Sequence, residues 1–130
     1  MHITPVYAAA VTLLFVGLSV RTLRLRRTLG IALGDAGNPR MLRAIRVHAN
    51  CAEYGPIGLV LLFLVESVGA NALLVHALGA SLVLGRFSHA FGVSQPDEEY
   101  AFRVAGMALT FGTLLTSAGY LLVMSVVDAL

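Results

Sequence analysis

Residues 46–68 read RVHANCAEYGPIGLVLLFLVESV, a segment that begins with spaced polar residues and continues as an apolar run. Arg46, Asn50 and Glu53 stand at positions i, i+4 and i+7. On a helix these three side chains form one stripe, because seven residues nearly complete two turns. Charged groups are costly at the mouth of a membrane helix. The segment therefore predicts a membrane-spanning helix whose polar end holds something polar.

The composition extends this interpretation to the whole chain. Its 130 residues are 58% hydrophobic and 12% charged, with a mean hydropathy of +0.84. Soluble domains carry about 25% charged residues. Four continuous apolar runs approach the ~20 residues that a helix needs to cross a bilayer, and their continuity argues against a β-barrel. We expect one all-α domain over 1–130, a four-transmembrane-helix bundle with helices near 4–27, 39–68, 71–92 and 97–128.

The arginines predict the orientation of this bundle. All nine basic residues are arginine, and seven of them lie between Arg21 and Arg46. The other two, Arg86 and Arg103, flank the connection of helices three and four. The positive-inside rule places both arginine-bearing connections in the cytoplasm and both termini outside. We expect a multi-pass protein of the inner or cytoplasmic membrane if the source is bacterial, with its first apolar run retained as an anchor.

All four predicted helices bring polar groups to this same end of the bundle. The residues are Arg24 and Arg26 after helix one, Arg46, Asn50 and Glu53 on helix two, Arg86 and His89 on helix three, and Arg103 on helix four. Together they favour a pocket for a small ligand that bears carboxylates and an amino group. The alternatives are structural pairs such as Arg46–Glu53 and Glu99–Arg103, or contacts of the arginines with lipid phosphates.

Other residues predict packing rather than chemistry. Pro56 interrupts the hydrogen bonds of helix two and favours a bend there. Cys51 is the single cysteine and is typical of a small buried residue. Several glycines could allow helices to pack closely, namely Gly79, Gly85, Gly106, Gly112 and Gly119. No Cys/His cluster offers metal ligands, and the arginine-rich region is too short and too close to the membrane to indicate nucleic-acid binding.

At these residues the chain resembles the MAPEG family, the membrane-associated proteins of eicosanoid and glutathione metabolism. The family signature Arg-x-x-x-Asn-x-x-Glu-x-x-Pro is complete in Arg46, Asn50, Glu53 and Pro56, and Tyr54 matches as well. This run is closest to the leukotriene C synthase and microsomal glutathione transferase-like members. The likeness continues through the Gly-Arg-x-x-His element at 85–89 and the arginine at the start of helix four.

The resemblance implies a homotrimer in the lipid bilayer. Glutathione would be the co-substrate, bound between subunits near the cytoplasmic face, and a hydrophobic small molecule would be the second substrate. The implied glutathione-binding residues are Arg24, Arg26, Arg46, Asn50, Glu53, Tyr54 and His89. Arg103 would be catalytic, through stabilisation of the glutathione thiolate, whereas Pro56 and Arg86 would be structural.

Departures from the family pattern narrow the expected activity. Val93 stands where several members have a tyrosine, and Val104 and Met107 replace the serine and tyrosine of prostaglandin E synthase, so a prostaglandin isomerase is not expected. We expect a detoxifying glutathione S-transferase or peroxidase that acts on hydrophobic electrophiles or lipid hydroperoxides. The alternatives are a non-catalytic lipid-binding or scaffold protein of the same fold, and an exporter with Glu53 as proton carrier.

Overall fold

A computed structural model describes residues 2–97, 99–127 and 129. Its elements are, in order, α1 (Thr4–Leu29), α2 (Pro39–Ser67), α3 (Ala72–Ser94) and α4 (Tyr100–Val127). Each helix is long and apolar enough to cross a membrane. The described residues contain no strand. The expected all-helical fold with four membrane-spanning helices is therefore confirmed.

Polar side chains determine where the first two helices begin. The Glu66 carboxylate, at the far end of α2, accepts from the backbone N–H groups of Ile3 (2.5 Å) and Thr4 (2.9 Å), which α1 cannot bond internally. Asn38 accepts from the N–H groups of Arg40 and Met41 and so caps α2. The first of these contacts ties the start of α1 to the end of α2.

The described acidic residues of the connection between α3 and α4 lie before α4 and not in its first turn. Asp97 and Glu99 precede the helix, which begins at Tyr100, and Glu98 lies outside the described residues. The Glu99 N–H donates to the Gly92 carbonyl at 3.1 Å, and the Glu99 carbonyl accepts from the Arg103 N–H at 3.1 Å. The connection therefore folds back against the last turn of α3 before α4 starts.

Glycine allows α3 and α4 to approach closely. A Cβ on Gly106 would lie 2.5 Å from the His89 nitrogen and 2.7 Å from the Gly85 carbonyl oxygen. The close contacts expected at Gly85 and Gly106 are confirmed. Those expected at Gly112 and Gly119 are wrong within one chain, because both positions face outward and have nothing within 4 Å.

The core consists of two apolar clusters along the bundle. At the arginine-bearing end, Leu18, Val47, Cys51 and Ala90 pack together. At the opposite end the cluster comprises Leu62, Val65, Val75 and Leu78. Cys51 is buried, as expected. The first cluster forms the apolar base beneath the polar end of the bundle, where the candidate site lies.

Candidate functional site

A cavity of about 330 Å³ opens at the arginine-bearing end of the bundle. Its walls come from three helices, α2, α3 and α4. The residues that line it are Pro39, Leu42, Arg43, Arg46, Asn50, His89, Val93 and Arg103. Four of the predicted site residues therefore meet around one space, although they are separated by up to 57 positions in the sequence (103 − 46).

Arg86 lies beneath this cavity and is almost completely buried, with 2% of its surface exposed. Its guanidinium donates from Nη1 to Asn50 Oδ1 at 2.5 Å. Nε and Nη2 donate to Thr110 Oγ1 at 3.0 and 2.6 Å, and Nη2 also reaches the Gly106 carbonyl at 3.4 Å. Among the described residues Arg86 has no carboxylate partner. Neutral acceptors from α2 and α4 instead bind its N–H groups, and these hydrogen bonds join both helices to α3.

Arg86 also determines how Asn50 faces the cavity. A guanidinium only donates hydrogen bonds, so the Asn50 atom that faces Arg86 must be the amide oxygen. The Asn50 Nδ2 group then donates towards the Met107 sulfur at 4.0 Å, and that sulfur also lies 3.5 Å from Arg86 Nη2. A ligand in the cavity would therefore meet an amide whose orientation a buried cation has already decided.

Tyr54 packs beside Arg86 and does not line the cavity. The Arg86 Cζ lies 5.4 Å from the centroid of the Tyr54 ring, within the range of a cation–π contact. The Tyr54 ring also meets the Phe111 ring edge to face, with 5.6 Å between the ring centroids. Within one chain, Tyr54 supports the guanidinium beneath the site rather than lining the cavity.

Glu53 lies outside the cavity as well, on the exposed face of α2. It shares that face with Arg46, which stands two turns earlier. Both side chains are described, and no ion pair joins them. Seven helical residues separate their Cα atoms by about 10 Å along the axis, which disfavours direct contact. The Arg46–Glu53 pair considered as an alternative is therefore absent.

The two candidate arginines of α1 have different surroundings. Arg26 donates from Nη1 to the Gly34 carbonyl at 2.9 Å and so braces the connection between α1 and α2. Arg24 lines a second, larger cavity of about 970 Å³. Neither residue lines the smaller cavity within one chain.

Arg43 and Thr110 are residues that sequence reasoning missed. Arg43 lines both cavities, and its Nη1 donates to the Gln95 carbonyl at 3.0 Å. It stands three residues before Arg46, so an extension of the helical stripe by one turn would have found it. Thr110 had no such signal, because its importance lies entirely in its contact with Arg86.

Comparison with known proteins agrees with this architecture. The sequence profile of the MAPEG family matches residues 4–123. Two relatives are the inner membrane proteins YecN of Escherichia coli strain K12 and of E. coli O6:H1 strain CFT073. Each is 35% identical over 113 residues, which cover 87% of this chain and 85% of the relative. Four apolar helices and these relatives identify an integral, multi-pass membrane protein. The chain belongs to the MAPEG family.

Proposed function

We propose that this protein is a membrane-bound, glutathione-dependent transferase or peroxidase that acts on hydrophobic electrophiles or lipid hydroperoxides. The observation that supports it most is the convergence of Arg46, Asn50, His89 and Arg103 around one cavity of about 330 Å³. This volume lies at the lower end of the ~300–1,000 Å³ typical of small-molecule sites. Two guanidinium groups suit the carboxylates of a small peptide, and the amide can bond its backbone.

Arg103 is the residue best placed to activate the thiol. A thiol with a pKa of ~8.5 is only a few per cent thiolate at neutral pH, although the thiolate is the nucleophile. Arg103 belongs to the first turn of α4, so both its guanidinium and the helix N-terminus favour a negative charge nearby. Lowering the thiol pKa by ~2 units requires about 2.7 kcal/mol, which one close cation in a partly dry site can supply.

The reaction then needs little more than positioning. The thiolate sulfur attacks an electrophilic carbon, a C–S bond forms, and the electron pair of the broken bond leaves with the departing group. Arg103 stays charged throughout, so it acts as an electrostatic stabiliser and not as a base. The hydrophobic partner would reach the sulfur from the lipid, along the surfaces of α1 and α4.

The exposed position of Glu53 favours a site completed by a second subunit. Further along α2 towards its C-terminus, the same face presents Ile57, Val60 and Leu64. The exposed fractions of these residues are 52%, 56% and 42%. A carboxylate that faces lipid costs roughly 2.5–3.5 kcal/mol near the bilayer centre and less towards the interface. Another copy of the chain would remove this cost if it covered the face. We therefore place glutathione between subunits of a homotrimer, where Glu53, Tyr54 and an arginine of α1 can reach it.

Glutathione binding to the detergent-purified protein tests the proposal. We expect saturable binding at up to millimolar glutathione that is lost in Arg46→Ala and Glu53→Ala, because each variant removes a charged contact. Arg27→Ala is the matched control, since Arg27 is exposed and lines neither cavity. In Arg103→Ala, glutathione should still bind, but the thiolate absorbance of the bound peptide should fall at neutral pH.

One outcome would count against this function, and another would count only against the role of Arg103. An absence of binding to the wild-type protein would favour the non-catalytic lipid-binding or scaffold alternative. Unchanged thiolate absorbance in Arg103→Ala would leave binding intact but remove Arg103 from the role of thiolate stabiliser.

A further inference from the structure

The larger cavity contains arginines to which the proposed function gives no role, namely Arg21 and Arg40. It lies between α1, α2 and the connection of α3 to α4, and its volume is about 970 Å³. Its basic residues are Arg21, Arg24, Arg40 and Arg43, and no acidic residue lines it. Four guanidinium groups around one space repel one another unless an anion lies among them.

Two of these arginines are held in place by the protein. Arg21 donates from Nη1 to Ser94 Oγ at 2.5 Å, and Arg43 donates to the Gln95 carbonyl at 3.0 Å. Arg24 and Arg40 are exposed, and neither guanidinium forms a hydrogen bond or ion pair among the described residues. The cavity thus combines two positioned cations with two that remain available to a ligand.

The cavity is also amphipathic along the axis of α1. Gly17 and Val20 line its membrane-facing part, whereas Arg24 and Thr28 line the part at the arginine-bearing end. Gly17 and Thr28 stand eleven positions apart, which corresponds to about 16 Å along the helix axis. A free inorganic anion would leave the apolar part empty. An anion with an attached hydrocarbon chain would fill both parts.

We propose that this cavity binds the headgroup of an anionic phospholipid. The phosphodiester would lie among the four arginines, and the upper part of an acyl chain would lie along Gly17 and Val20. Arginine suits a phosphate because its N–H groups can donate to two oxygens at once. Arg43 and Pro39 line both cavities, so the lipid would lie directly beside the proposed glutathione site. The proposal does not depend on glutathione binding or catalysis.

Competitive lipid retention tests this inference. The detergent-purified protein would be mixed with equal amounts of phosphatidylglycerol and phosphatidylcholine of identical acyl chains, and bound lipid would be counted by native mass spectrometry. We expect one phosphatidylglycerol per chain to be retained preferentially. Arg40→Gln should lower that preference roughly fivefold, the factor expected for loss of one basic residue at an anionic headgroup. Arg40 is chosen because Arg24 is also a proposed glutathione contact.

Arg27→Gln is the matched control, because it removes the same charge from the same end of the bundle at a position outside the cavity. It should retain lipid as the wild type does. Equal retention of both lipids, or an equal loss in Arg27→Gln, would overturn the proposal. So would displacement of phosphatidylglycerol by millimolar inorganic phosphate, since that result would indicate a site for a free anion.

Discussion

Arg86 is the residue whose surroundings explain most about the candidate site. It lies inside a membrane-spanning helix, yet its donors are satisfied by Asn50, Thr110 and the Gly106 carbonyl. A buried cation without a described carboxylate partner persists only when neutral acceptors surround it. Arg86 thus links the contact between α3 and α4 to the cavity, because the Asn50 side chain that it bonds lines that cavity.

Replacement of Arg86 should therefore be costly to stability. Arg86→Met keeps an apolar stem but leaves the Asn50 oxygen without its donor, and each buried polar group that loses its partner costs about 1–3 kcal/mol. We expect a clearly lower midpoint of thermal unfolding in detergent. Arg27→Met removes an exposed arginine and should leave the midpoint unchanged. Equal midpoints for Arg86→Met and wild type would show that the network contributes little to stability.

At the scale of elements, the close approach of α3 and α4 places His89 and Arg103 beside the same cavity. Gly106 brings its backbone against His89, and Gly92 likewise lies where a Cβ would be 2.7 Å from the Arg103 nitrogen. Both site residues thus belong to stretches of helix that touch through backbone atoms. A side chain at either glycine would separate the helices and widen the cavity between them.

Gly106→Ala tests this contact. Backbone atoms of α3 cannot rotate away as a side chain can, so we expect the variant to destabilise the protein by about 1–3 kcal/mol, as overpacking usually does. Gly112→Ala is the matched control on the same helix, because nothing lies within 4 Å of its added Cβ within one chain. That variant should be neutral or slightly stabilising, since alanine is the better helix former. Similar losses in both variants, measured by thermal unfolding in detergent, would contradict this explanation.

At the scale of the whole molecule, the exposed face of α2 is the surface to which we assign the proposed contact between subunits. It combines a carboxylate with large apolar side chains, which neither water nor lipid alone solvates well. A second copy of the chain could cover this face and also bring its own cationic residues near Glu53. The proposed homotrimer follows from this mismatch together with the family resemblance.

Cysteine crosslinking in membranes tests the assembly. We expect Val60→Cys, in a background where Cys51 is alanine, to form covalent dimers on mild oxidation, because Val60 lies on the same face two turns after Glu53. Leu115→Cys is the control, since Leu115 is 73% exposed on α4, away from the α2 face and the α1 arginines of the proposed interface. Native mass spectrometry of the wild type should show three copies. A monomer, or crosslinking equal at both positions, would refute the proposed interface.

The orientation of the bundle is a separate prediction at this scale. The arginines lie at one end, so that end should remain in the cytoplasm. A membrane-impermeant maleimide should label Ala72→Cys in cells whose outer membrane has been permeabilised. It should label Leu33→Cys only after the inner membrane has been permeabilised as well. Leu33 is 89% exposed in the connection of α1 and α2, so access to the reagent would depend only on the side of the membrane. The reverse labelling pattern would indicate the opposite orientation, with the arginine-bearing end outside the cytoplasm.

Much of this arrangement could be read from the chain. Long apolar runs predict four spans because hydrocarbon tolerates only segments whose backbone polar groups bond internally. The spacing of Arg46, Asn50 and Glu53 predicts a shared helical face, since helical periodicity is a local property. The complete signature around these residues also indicated the family, which the profile match confirms.

Contacts between distant segments determined the features of the site that the sequence did not predict. Whether Glu53 lines a cavity or faces outward depends on how α2 is rotated against its neighbours, and no local pattern specifies that rotation. The same is true of Thr110, which matters because α3 and α4 touch through glycine and bring it to Arg86. Local periodicity places a residue on one side of its own helix, but only contacts between distant segments determine which other residues share its space.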